Sequence, residues 1–321
     1  MDSLLLLALI IAQFVLLAAV LAVIVKRNNQ RTDYLLNLVS NLRFADEAES
    51  AEQGRSGADP SSEYVASVTT TGPRLHLVDR AVRSMLAQSK PPRGVYLYIS
   101  DQINVAEIPA KLRALEAHGL TIRQVPDVGP HTKLVYALKE HAQHKIVTFD
   151  DDMIYPDNMA ACLLHYAGRF PGCVVANWAR RLKFCFGRVL PSRWGTLLTP
   201  PLLERNIEQS AHHPKASLRT FAYGTSGVLY PPGALHEKVF DFKLMQKLCP
   251  KEDDVWFKAM SILAGTRTVE TNLGINPRHY CISGSQVSAL RHENQENRKN
   301  GEQLRAVFSA FNLYELIRKG D

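Results

Sequence analysis

The chain has 321 residues and a formal net charge of +7, and 46% of its residues are hydrophobic. Its basic residues are dispersed, as in Arg180-Arg181 and Arg298-Lys299, with no basic run interleaved with aromatics, which excludes a nucleic-acid partner; an anionic membrane surface and an anionic substrate are the better uses of that charge. Its cysteines, Cys162, Cys173, Cys185, Cys249 and Cys281, are odd in number and form no C-x-x-C pair, which excludes a disulfide framework or a zinc site. Cys162 and Cys173 stand in apolar surroundings and are expected in the core.

Leu4 to Val25 is apolar except for Gln13, the length that a membrane-spanning helix requires. No basic side chain precedes it, whereas Lys26, Arg27 and Arg31 follow it. This is the reverse of a cleaved signal peptide, and it predicts a single-pass anchor with everything after it in the cytoplasm. Residues 1–29 are therefore expected as the anchor and 30–62 as a stalk. In that stalk Tyr34 to Val39 continues the helix, and Glu47 to Ser62, rich in Glu, Ser and Gly with Pro60, forms a flexible linker. Residues 63–321 remain for one large domain.

Within that domain, strands and helices alternate. Tyr64 to Thr69 is β-prone and ends in Thr69-Thr70-Thr71-Gly72-Pro73-Arg74. Leu75 to Leu86 has helical spacing. Gly94 to Ser100 is a second strand ending at Asp101. Pro109 to His118 is helical, with proline in the first turn. Leu120 to Val125 is a third strand, and Lys133 to His141 a helix. Ile146 to Phe149 is a fourth strand, running directly into Asp150, Asp151 and Asp152. Tyr155-Pro156 then turns the chain, and Asp157 or Asn158 can cap the next helix. The alternation predicts an α/β fold, a parallel or mixed sheet with helices on both faces.

Three strand ends, at Thr69–Thr71, Asp101 and Asp150–Asp152, would then converge on one edge. In open α/β sheets the carboxyl edge is where ligands bind. Stacked carboxylates repel one another and require a cation there. A hard divalent ion bridging to a phosphorylated substrate is the simplest, with a solvated acidic loop as the alternative.

Beyond Cys173 the pattern is less regular. Cys173 to Asn177 is a strand. Trp178 to Phe221 is loop-rich and contains Trp194, His212 and His213. Tyr223 to Gly233 combines small residues with a β-prone run. Glu252 to Leu263 is a helix opening on Glu252-Asp253-Asp254, Thr266 to Glu270 a strand, and Ser283 to Gly320 a polar and then helical tail. Three carboxylates exceed what a helix N-terminus gains from its dipole, about 0.3–1 kcal/mol each. A surplus carboxylate there could act as a general base.

A strand ending in Asp-Asp-Asp, then Tyr-Pro and a helix, with a later Glu-Asp-Asp-x-Trp helix start, resembles the nucleotide-sugar glycosyltransferases of the GT-A fold. The resemblance is closest to bacterial enzymes related to glycosyltransferase family 2 that build surface polysaccharide, and it spans about Tyr64 to Phe311. Gly129-Pro-His-Thr-Lys133-Leu, Gly227-Val-Leu-Tyr-Pro-Pro232 and Ser285-Gln286 contribute to it.

The resemblance implies a Rossmann-like mixed sheet, with residues 63–177 holding a nucleotide-diphosphate sugar, a UDP-sugar by expectation, and 178–321 a glycan or lipid-linked acceptor at the inner membrane. Thr69, Thr71 and Asp101 would line the nucleoside pocket and Asp151 would share the donor site. Asp150 would face the ribose or the metal, and Asp152 would coordinate Mn²⁺ or Mg²⁺. Asp253 would be the base of an inverting displacement, with Asp254 competing for the role. Lys133 could pair with a phosphate or be an exposed helix lysine, and Arg74 could reach a phosphate or lie on the surface. Gly224 to Gly227 could let a sugar approach or simply make a turn; Trp178 and Trp194 could stack on a sugar or pack in the core; His292 could complete a metal site or be solvated.

Two other enzymes use related elements. A haloacid-dehalogenase-like phosphatase needs Thr or Val where Ile154 stands, and a downstream Gly-Asp-x-x-x-Asp that is not evident. A nucleotidyltransferase needs a Gly-rich basic loop after the first strand. A non-catalytic sugar-nucleotide-binding scaffold is the third alternative.

Overall fold

Alternation along each strand builds the sheet. Ala66 and Val68 of β1 (Tyr64–Thr70), Leu97 and Ile99 of β2 (Val95–Ser100) and Val147 of β4 (Lys145–Thr148) face one apolar layer; Val65, Tyr98 and Ile146 of the same strands face the other. Both faces are apolar because both are covered, as a sheet with crossover helices requires. We describe residues 2–51, 57–182, 184–185, 188–189, 214–271, 273, 279–282, 285 and 299–320 of a computed structural model. Trp194, His212, His213, Gln286 and His292 lie outside the described residues.

The seven-stranded sheet also contains β3 (Leu120–Val125), β5 (Val174–Ala176), β10 (Val228–Tyr230) and β11 (Thr268–Glu270); β6 (Ala179–Arg181) pairs with β9 (Thr220–Ala222), and β7 (Phe184–Cys185) with β8 (Arg188–Val189). The order is β11-β5-β10-β4-β1-β2-β3. Within it only the pairings of β10 are antiparallel. The fold is thus the expected mixed α/β sheet flanked by helices, and strands from both sides of residue 177 complete it. The order also reverses at β1. The chain steps from β1 to β2 to β3, then crosses back to place β4 on the other side of β1. A crevice opens at such a switch point, outside the carboxyl ends of the two strands.

Helices α2 (Val78–Leu86), α3 (Ala110–Arg113) and α5 (Met159–Arg169) pack on one face. Helices α4 (Thr132–Glu140), α6 (Phe242–Leu248), α7 (Asp253–Leu263), α8 (Lys299–Ala310) and α9 (Leu313–Gly320) pack on the other. The helix expected over Pro109 to His118 is one α-turn followed by a 3₁₀ segment, Ala114–His118, closed by Gly119 at φ 102°. The left-handed backbone at Gly119 ends the helix where a side chain would resist it. Cys162 and Cys173 lie partly buried against the core, and Cys249 is buried inside it.

Helix α1 (Asp2–Ala51) is continuous, so the first residues of the expected linker, Glu47 to Ala51, are helical. Its stretch Ile11–Val39 contains a segment long and apolar enough to cross a membrane.

Trp256 fixes the orientation of α7. Its indole is fully buried and donates to Val239 O at 3.3 Å. Trp256→Ala is expected to cost about 3–5 kcal/mol of stability, read as a lowered urea midpoint of the purified chain.

Candidate functional site

The chain leaves β4 through Phe149, whose amide still bonds Ser67 O of β1, so the three aspartates begin where the sheet ends. They point in different directions. Asp151 turns inward and is buried, accepting from Thr70 Oγ1 at 2.5 Å and Arg74 Nη1 at 2.6 Å. Asp152 Oδ2 lies 3.3 Å from Arg74 Nη2. Asp150 faces Lys133, whose Nζ donates to its Oδ1 at 2.7 Å. Tyr155, which sequence reasoning assigned only to a turn, holds the loop. Its hydroxyl accepts from Asp150 N at 2.8 Å and donates to Thr225 O at 3.0 Å.

Lys133 joins the two acidic clusters. Helix α4 begins after Gly129-Pro130-His131 and sends the lysine inward, while Ser67 Oγ donates to the Lys133 carbonyl. Its Nζ is also 2.8 Å from Asp253 Oδ2 on the first turn of α7, an ion pair without hydrogen-bond alignment. The side chain is only 8% exposed, so the exposed-lysine alternative is overturned. Burial opposes the charge on Lys133, but Asp150, Asp253 and Asp254 together hold its pKa well above the ordinary value. Asp254 accepts from Gly224 N at 3.0 and 3.2 Å. A Cβ on Gly224 would stand 2.9 Å from Lys133 Nζ and 3.0 Å from Asp254 Oδ1, so a side chain here would enter the cluster. Gly227, at φ 88°, makes the turn that follows.

Burial and crowding shift Asp152, Glu252 and Asp254 upward. Asp152 is raised to about 7 by burial and by repulsion from Asp150 and Asp151. Glu252 is raised to about 7 by burial and by Asp253. Asp254 is raised well above the carboxylate range by burial and then Asp253. Burial pushes His131 down to about 4, so this fully buried imidazole beside Asp253 is neutral at pH 7.

Most of the expected residues therefore meet. Asp150, Asp151, Asp152, Arg74, Lys133, Asp253 and Asp254 form one connected cluster at the switch point. Arg74, 13% exposed, is no ordinary surface arginine. Thr69 and Thr71 flank the residue that reaches the cluster. Alternation turns Thr70 toward Asp151, whereas Thr69 Oγ1 donates to Tyr98 O at 2.8 Å and Thr71 is exposed. Asp101 is exposed at the end of β2 on the same edge, and Gln102 Nε2 donates to its Oδ1 at 3.0 Å. Trp178 is partly exposed, its ring 6.5 Å from that of Tyr223. Among the described residues, no three His, Cys, Asp or Glu side chains converge as a metal cluster. Asp150 and Asp152 are by residue type the hard oxygen donors that Mn²⁺ or Mg²⁺ takes alongside phosphate and water; here they turn to different cations, Asp150 to Lys133 and Asp152 to Arg74.

No family model and no curated protein matches the chain. Among solved structures it is similar to the mannosyltransferase PcManGT of Pyrobaculum calidifontis in complex with GDP-Man and Mn²⁺, at 15% identity and TM-score 0.45, over 87% of this chain and 74% of that one. It is also similar to a 4-diphosphocytidyl-2C-methyl-D-erythritol synthase, at 11% identity and TM-score 0.41, over 71% of this chain and 96% of that one. A third is S. aureus TarS 1-349, at 12% identity and TM-score 0.41, over 78% of this chain and 83% of that one. At such scores no residue role or ligand passes from these proteins to this chain.

Lys133→Met removes one cation from between buried carboxylates and is expected to destabilise the purified chain by about 3–5 kcal/mol in urea unfolding. Asp150→Asn added to that variant should recover part of the loss. His131 predicts a pH dependence. Its folded pKa of about 4 lies below the ordinary 6.5, so it contributes stability above pH 6.5 that is lost as pH falls toward 4. The loss is at most about 3 kcal/mol. His131→Gln should flatten that part of the unfolding-midpoint profile.

Proposed function

We propose that the chain is a membrane-anchored, metal-dependent glycosyltransferase that moves a sugar from a nucleotide-diphosphate donor, a UDP-sugar by expectation, to a glycan or lipid-linked acceptor in surface polysaccharide synthesis. The observation that carries this reading is the meeting of Asp150–Asp152 with Asp253–Asp254 through Lys133, at the crevice where the strand order reverses. Residues 63–177 then bind the donor and 178–321 the acceptor. The apolar helix makes a single pass of the inner membrane, and Lys26, Arg27 and Arg31 keep the catalytic domain cytoplasmic, where nucleotide sugars are made.

In this reading Thr69, Thr71 and Asp101 line the nucleoside end of the crevice, and Asp151 holds Arg74 in place. Asp150 and Asp152 hold Mn²⁺ or Mg²⁺, which supplies neutralisation of the diphosphate charge. The diphosphate competes with Asp150 and Asp253 for Lys133, and with Asp151 and Asp152 for Arg74. Drawing Lys133 away leaves Asp253 to accept a proton. The acceptor hydroxyl attacks the anomeric carbon as its proton passes to Asp253. The bond to the diphosphate breaks with its electron pair on the leaving nucleotide, giving inversion. Asp254, already accepting from Gly224 N, is the less available base. The partly exposed Trp178 offers a face on which a sugar ring can stack.

The test is a thermal-shift screen of the purified chain with nucleotide sugars, with and without Mn²⁺. At a hundredfold excess over Kd, the true donor should add about 2.7 kcal/mol of stability. Asp152→Ala should remove the metal-dependent part of the shift. Asp253→Asn should keep donor binding and lower turnover by about 10²–10⁴-fold, and Asp254→Asn by less. Phosphate release from the donor without sugar transfer would establish the phosphatase instead, and donor binding without turnover would establish the scaffold.

A further inference from the structure

Helix α1 does more than emerge from an apolar span. Along its described stretch Ile11–Val39, only Asp33 and Asn37 are less than exposed. They stand one helical turn apart on one face. Both engage the same short segment of the globular domain. His279 Nε2 is 2.8 Å from Asp33 Oδ1, and Asn37 Nδ2 donates to Cys281 O at 2.8 Å.

That segment is laid along the acidic loop. Ile154 N donates to Tyr280 O at 2.8 Å, and Ile282 N donates to Asp152 O at 2.8 Å. Met153 and Cys281 form an antiparallel bridge, and Cys281 Sγ donates to Met153 Sδ at 3.7 Å. Three residues further on, Ser285 O lies 3.5 Å from Arg74 Nη2. A continuous set of short polar contacts therefore runs from the membrane helix through residues 279–282 to the backbone of Asp152, with Ser285 reaching its partner Arg74.

We propose that Asp33 and Asn37 are positioning residues for the acidic site: the membrane helix clamps residues 279–282, and these hold the Asp152 backbone in place. The anchor is then part of the site rather than a tether to it. Asp33 lies eight residues beyond Val25, about 12 Å along the helix at 1.5 Å per residue. The clamp therefore holds the site at the bilayer surface, at a fixed height and orientation. Resting on the transferase reading, this favours an acceptor presented at the membrane surface, a lipid-carried sugar, over a soluble glycan.

Hydrogen exchange of the full chain in detergent tests the clamp without using any activity. In Asp33→Ala/Asn37→Ala the amides of Ile154 and Ile282 should exchange at least tenfold faster, while those of β1 and β2 are unchanged. His279→Asn should reproduce the effect. If the double variant does not fold, Asp33→Asn removes the charge at constant size and should shift the same two amides. Unchanged exchange at Ile154 and Ile282 would overturn the proposal, and so would acceleration spread uniformly over the sheet, which would make the contact merely a stabilising one. Failure of the wild-type chain to bind any nucleotide sugar of the screen with Mn²⁺ would sink the transferase reading and leave the exchange result standing. Where binding holds, the clamp variants should weaken it by about tenfold.

Discussion

A buried lysine cation organises this molecule. Lys133 is removed from water, a position a charge occupies only with partners of opposite sign. It has them on two sides, Asp150 from the loop after β4 and Asp253 from the start of α7, with Asp254 close behind. Neither acidic cluster is tolerable alone at these burials. With the lysine between them each neutralises part of the other's burden, and four pieces of chain are pinned together: α4, the Asp150 loop, α7 and the Gly224 turn. The need for glycine at 224 follows from the same crowding, because the backbone there passes within contact of Lys133 and Asp254.

Arg74 plays the matching part for Asp151 and Asp152. Two cations of the chain thus stand where an anionic ligand and a divalent ion would otherwise be the first candidates. That changes how the site would work. A diphosphate would enter by exchanging partners with Lys133 and Arg74, and the carboxylates it releases are those proposed for metal and proton. Burial first, and then the same crowding of negative charge, raises the pKa of Asp152. The segment at residues 279–282 extends this arrangement to α1, so a helix outside the α/β sheet reaches the backbone of the acidic loop.

Much of the fold was legible in the chain. The β-prone runs at 64–70, 95–100 and 120–125 are strands within a residue or so of their expected bounds, because alternating or continuous apolar patterns report burial directly. The acid triplet after Phe149 read correctly as the end of a core strand. What did not read through was the partner of each acid. Thr69 and Thr71 were favoured over Thr70, although the pleat turns the middle threonine toward Asp151. Lys133 and Arg74 carried surface alternatives because nothing within either segment shows that the other end of an ion pair lies far away in the sequence. Tyr155 was seen only as a turn residue, yet its hydroxyl ties the triplet to the Gly224 loop.

The sequence by itself determined the class of the fold, the apolar helix at its start and the existence of two acidic clusters, since each is written in local pattern and composition. Only the tertiary structure decided that the clusters meet, that a lysine lies between them, and that the apolar N-terminal helix touches the segment beside Asp152. Those facts depend on strand order and helix docking: Asn37 and Cys281 stand 244 positions apart, and Lys133 and Asp253 belong to helices on separate stretches of chain, pairings that no local window of sequence contains.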